Sequence, residues 1–140
     1  MNTPLESPFT ATLDIKDLLE DYFDVLYFHD LTLFDHVFHP AAVVYTVQDG
    51  AVAMRSAGEY RQVLQSRRSP SSVRADRDDV ILSIELLSPE SATARTRVCL
   101  FGVFVEEYLT VLLTGGRWTV MTKLYHPCRG VYDPKFAATG

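Results

Sequence analysis

Between Val80 and His126 the chain reads as four strand-length runs separated only by turns. The runs are Val80 to Leu87, Ala92 to Phe101, Phe104 to Leu113 and Trp118 to His126. Ser88-Pro89-Glu90, Gly102 and Thr114-Gly115-Gly116 punctuate them, and Pro127 stops the last. Connections this short join antiparallel neighbours, because a parallel pair needs a crossover of roughly a dozen residues or more. The second half of the chain is therefore expected to be an antiparallel meander.

The first half has a different period. Ile15, Leu18, Leu19, Tyr22, Val25 and Leu26 recur at helical spacing from a cap at Thr12, with Asp14 in the first turn. Phe23, Tyr27 and Phe28 widen the apolar stripe, so this helix is expected to be covered on more than one side. Asp30 reads as the N-cap of a short second helix carrying Leu31, Phe34, Val37 and Phe38, which His39-Pro40 ends. Ala42 to Val47 is a β-branched strand, Asp49-Gly50 a hairpin turn, and Ala51 to Arg55 the return. Ser56-Ala57-Gly58-Glu59 is a capping box ahead of a third helix with Tyr60, Val63 and Leu64 on one face. In the polar stretch from Ser66 to Asp79, Arg67, Arg68, Arg74 and Arg77 are balanced by Asp76, Asp78 and Asp79, which predicts a solvated loop. Three helices before a meander make an α+β domain over residues 12–127, with a loose leader at 1–11 and a tail at 128–140.

Composition removes several partners. The 140 residues suffice for one domain, and 13 basic residues scattered among 18 acids give a net charge of −5. Duplex binding needs clustered Lys and Arg, so nucleic acid is not expected. The longest apolar run, Val98 to Val105, is broken by Gly102 and falls short of the roughly 20 residues of a membrane helix. The opening MNTPLESPFTATLD has neither a basic nor an apolar signal region, and Cys99 and Cys128 form no framework. Both observations predict a cytoplasmic protein with free thiols. His36-x-x-His39 and His126-Pro127-Cys128 lack the spacing of a metal site, and no phosphate or dinucleotide fingerprint occurs. No metal or cofactor is expected.

The strands carry large apolar groups at both parities: Leu109, Val111 and Leu113 against Leu112, and Trp118, Val120 and Leu124 against Met121 and Tyr125. A sheet apolar on both faces predicts a second subunit over the outer one, hence a homodimer.

Three stretches resemble the nuclear transport factor two-like superfamily, and among its subfamilies the lumazine-binding-like group. These are Tyr22-Phe23 through His29-Asp30-Leu31, Val37-Phe38-His39-Pro40-Ala41-Ala42-Val43, and Gly115-Gly116-Arg117-Trp118-Thr119-Val120 with Lys123. The resemblance spans about residues 12–127 and rests on order and spacing. It implies a cone: a curved antiparallel sheet wrapped around the long first helix, with a pocket between. The superfamily includes ketosteroid isomerases, scytalone dehydratase and polyketide cyclases, and many non-catalytic binding modules, so residues must decide function.

By resemblance to the isomerases, their oxyanion-hole tyrosine falls on Tyr22, eight residues before Asp30. The alternative is a core tyrosine whose hydroxyl finds any partner. The general-base aspartate falls on Thr46, which cannot abstract an α-proton near neutral pH. The second, protonated aspartate falls on or next to Tyr108. The same resemblance points Arg95, Arg97, Cys99, Thr110, Met121, Lys123 and Tyr125 inward, and Ala94, Val98, Leu100, Leu109, Val111, Trp118, Val120 and Leu124 outward. The opposite parity would fill the core with Trp118, Val120 and Leu124 and leave Arg97 and Lys123 in water. The implied pocket is lined by Tyr22, Thr46, Arg97, Tyr108, Met121, Lys123 and Tyr125, suited to a small anionic or carbonyl-rich organic ligand. The expected role is ligand binding by a homodimer. The alternative is a cofactor-independent isomerase, dehydratase or cyclase, for which His29 is a further candidate acid or base.

Overall fold

A computed structural model describes residues 7–128. Its elements are α1 (Pro8–Phe28), α2 (Leu31–Val37), β1 (Phe38–Gln48), β2 (Ala51–Ser56), α3 (Ala57–Ser66), β3 (Val80–Ser88), β4 (Ser91–Leu100), β5 (Val103–Thr114) and β6 (Arg117–Pro127). The six strands form a curved, unclosed sheet in the order β2-β1-β6-β5-β4-β3. The meander β3–β6 is antiparallel throughout. The sheet as a whole is mixed, because β1 runs parallel to β6. Strand β2, helix α3 and strands β3–β5 lie between these two strands in sequence and supply the long connection that parallel pairing requires.

Helix α1 starts four residues before the expected Thr12. Ser7 caps it by accepting from the Thr10 amide at 3.1 Å, and Pro8 sits in the first turn, where its missing N–H is harmless. The Thr12 hydroxyl instead donates to the Pro8 carbonyl. The expected leader at 1–11 is therefore partly helix, while residues 1–6 and the tail from 129 lie outside the described residues. At 21 residues α1 is about 31 Å long, and it buries Ile15, Leu18, Leu19, Tyr22, Phe23, Val25 and Leu26. The two other expected caps are present: Asp30 accepts from the Leu33 amide, and Ser56 with Glu59 forms the capping box.

The Ser66–Asp79 segment is not wholly solvated. Residues Pro70–Val73 make one 3₁₀ turn, and Arg77 bonds both Asp24 of α1 at 2.6 Å and Asp79 at 2.7 Å. Its guanidinium also lies 5.0 Å from the Tyr27 ring centroid, so this loop is tied to the first helix.

The inner sheet face packs on α1 and is read off the register. Tyr125, Glu107, Thr96 and Ile81 form one cross-strand row, and Val44, Lys123, Leu109 and Ala94 another. The expected parity is thus reversed on β4 and β5: Ala94, Val98, Leu109 and Val111 are buried inside, while Arg95, Arg97, Cys99 and Thr110 belong to the outer face. On β6 both parities are correct in part, because a β-bulge interrupts the strand. Thr110 pairs with Thr122, yet Val111 pairs with Val120, leaving Met121 as the extra residue. The bulge puts Val120 on the same face as Lys123 and Tyr125 despite their odd spacing.

Candidate functional site

Five elements converge inside the cone on one charged cluster. Glu107 of β5 is 0% exposed and Lys123 of β6 is 4% exposed, with Lys123 Nζ 2.9 Å from Glu107 Oε2. The other carboxylate oxygen, Oε1, accepts from the Tyr22 hydroxyl of α1 at 2.6 Å and the Thr96 hydroxyl of β4 at 3.1 Å. Lys123 Nζ also donates to the Tyr60 hydroxyl of α3 at 3.1 Å. The ammonium lies 5.3, 5.1 and 5.8 Å from the ring centroids of Tyr22, Tyr60 and Tyr125. A buried ion pair surrounded by hydroxyl donors and aromatic faces meets the conditions under which buried charge is tolerated.

The electrostatics follow from this packing. Burial is the largest influence on Lys123 and opposes its charge, but the facing Glu107 carboxylate together with the Tyr22 and Tyr60 phenols outweighs it and holds the ammonium's pKa well above the ordinary lysine value. Burial, then the Glu107 carboxylate, push the Tyr22 phenol well above its ordinary value. Tyr22 is therefore a neutral phenol whose one proton is committed to Glu107. It has none left for a substrate oxygen.

A cleft of about 610 Å³ opens beside this cluster, between the end of α1, α3 and the β4–β5 hairpin. Leu26, Val63, Leu64, Leu100, Val103 and Val105 make its apolar wall. Its polar groups are His29, Tyr60, Arg67 and Arg68. Tyr60 joins the cleft to the buried cluster: its oxygen accepts from Lys123, so its own proton is free to be donated. His29 caps α1 in the left-handed conformation, at φ 53°. Its Nδ1 lies 2.9 Å from the Leu64 carbonyl and 3.3 Å from that of Arg67. Carbonyls only accept, so Nδ1 carries the hydrogen and Nε2 of the neutral ring keeps its lone pair.

The structure brings Tyr22, Lys123 and Tyr125 together and sets Thr46 nearby, its hydroxyl donating to the Tyr125 carbonyl at 2.7 Å. Met121 is half-buried at the bulge. Arg97 and Tyr108 are not in this group. Arg97 lies over the Phe104 ring at 5.2 Å, and Tyr108 is 54% exposed on the outer face beneath Arg95. Both went out when β4 and β5 took the apolar parity inward. Glu107 was missed, although it shares that parity with Val105, Leu109 and Val111. Arg67 and Arg68, read as loop charges, border the cleft. Among the described residues no group of three or more His, Cys, Asp or Glu is placed to hold a metal. Nor is any described helix long and apolar enough to cross a membrane. Cys99 and Cys128 are free thiols.

A family model described as "Putative lumazine-binding" matches residues 11–126. The chain belongs to this lumazine-binding-like family. Its fold is that of the nuclear transport factor two-like superfamily. An NTF2-like protein of unknown function from Silicibacter pomeroyi DSS-3 is 18% identical, with 88% of this chain and 100% of that one covered at a TM-score of 0.78. One from Shewanella baltica OS155 is 21% identical, with 88% and 98% covered at 0.78. A protein from Novosphingobium aromaticivorans DSM 12444, described as a putative scytalone dehydratase, is 14% identical, with 86% and 85% covered at 0.64. These identities establish a shared fold only. No curated protein matches the chain.

Proposed function

We propose that this lumazine-binding-like protein binds a small organic anion with an apolar body in the cleft at the mouth of the cone. The observation that carries this reading is the pairing of an apolar wall with Arg67 and Arg68 in one space of about 610 Å³. Lys123, the expected anion partner, is already neutralised by Glu107, so the arginines take that role. We place the protein in the cytoplasm on the strength of its two free thiols. We assign it a homodimer joined through the outer sheet face.

The test uses anilinonaphthalene sulfonate, an apolar anion that fluoresces when desolvated. The expected result is saturable binding of one dye per chain. The double variant Arg67→Glu, Arg68→Glu is expected to lose about 30-fold or more in affinity while keeping its fold. Unchanged dye affinity in that variant contradicts the reading.

A second reading has one specific support. His29 Nε2, with its lone pair, and Tyr60, with a free proton, border the same cleft. A base and a donor in one pocket are the minimum for a cofactor-independent isomerase, dehydratase or cyclase acting on a carbonyl compound.

A further inference from the structure

Three hairpins of this sheet turn through two residues with positive φ. Asp49-Gly50 has 53° and 79°, Gly115-Gly116 has 58° and 76°, and Phe101-Gly102 has 52° and 81°. Such turns select Asn, Asp or Gly at the first position, because a Cβ crowds the following carbonyl in the left-handed region. Two of the turns obey that rule. The third seats a phenylalanine, a bulky residue for which this backbone is a genuine outlier.

Outliers of this kind persist where surrounding structure over-determines them, and they gather at ligand sites. Phe101 lines the cleft. So does His29, another of the four non-glycine residues with positive φ. The Asp49 turn and Arg74 do not border it. We propose that Phe101 is the side chain that stacks on the bound ligand, and that the ligand is a planar aromatic or conjugated organic anion. The proposal rests on the cleft being the ligand site. An aromatic ring offers a flat face and a quadrupole that favour offset stacking on another π-system. The neighbouring guanidiniums of Arg67 and Arg68 also stack on planar groups while holding an anion. An aliphatic ligand needs neither feature.

The experiment compares wild type, Phe101→Asn and Phe101→Leu. Each is melted, then titrated with anilinonaphthalene sulfonate and with octyl sulfonate, an anion without a ring. Asparagine suits the turn, so Phe101→Asn is expected to melt about 3–6 °C higher. It should bind the aromatic dye roughly 5–10-fold more weakly and octyl sulfonate within about 2-fold of wild type. Phe101→Leu keeps the bulk and the backbone penalty, so it should lose the dye without gaining stability. If Phe101→Asn melts lower, fails to fold, or holds the dye as tightly as wild type, the ring is a packing anchor and the proposal is overturned. Equal losses for both anions overturn the planar ligand class. A wild-type protein without saturable dye binding removes the cleft reading itself, and this inference with it.

Discussion

Glu107→Gln is expected to destabilise the protein by about 3–5 kcal/mol, a drop in Tm on the order of 10 °C or more. The size follows from what the substitution leaves behind. Lys123 is 4% exposed, and its carboxylate partner at 2.9 Å disappears while its own charge stays in the core. Tyr22 and Thr96 keep an oxygen to bond, so the loss reports charge rather than hydrogen-bond count. Lys123→Met should be costly for the converse reason, leaving a buried carboxylate facing only hydroxyls. The double variant Glu107→Gln, Lys123→Met should recover most of the loss, because a neutral core needs no counter-charge. Urea titration of the four proteins measures the cycle, and additive single losses would contradict it. The wild type also has a predicted alkaline limb. Lys123 titrates higher folded than unfolded, so its contribution is complete below about pH 10. It drains as pH rises past the ordinary value of 10.5 toward the folded one. Tyr22, raised from 10.0, loses stability in the same direction. The double variant should lack the lysine part of this limb.

The second large effect is expected on the outer face. One row crosses the whole sheet there: Met54, Tyr45, Leu124, Tyr108, Arg95 and Ser83. Met54 is 64% exposed, and Tyr108 and Leu124 are exposed at the centre of the sheet. An antiparallel face in water should be polar. Apolar groups concentrated here favour a second copy of the chain, sheet against sheet. Tyr108→Asp with Leu124→Asp should convert a dimer to a monomer in sedimentation at micromolar concentration. Both side chains point away from the core, so the circular dichroism spectrum should be unchanged. A wild-type monomer, or a variant that stays dimeric, would contradict the assignment.

Much of the fold was legible because local signals agreed. Strand boundaries in the meander follow from turn residues at Pro89, Gly102 and Gly115, and two of three helix starts from Asp30 and Ser56. The site was harder for two physical reasons. A bulge at Met121 shifts side-chain alternation by one, so Val120 and Lys123 share a face that no period-two reading of β6 allows. Pairing of β1 with β6 links residues about 80 apart and leaves no mark in either strand's pattern. The Glu107 signal was present: an acid at the apolar parity of a strand marks a buried, paired charge. Arg67 and Arg68 carried no such mark, since only the tertiary fold brings their loop beside Leu100 and Val103.

The central claim is that the cone holds a small organic anion within a dimer. Native mass spectrometry of wild-type protein, incubated with cell extract and gently desalted, tests both parts together. The expected spectrum is a dimer carrying a discrete added mass per chain, absent from the Arg67→Glu, Arg68→Glu variant treated identically. A dimer without added mass, or the same mass on the variant, would contradict the ligand site. A monomer would contradict the outer-face interface.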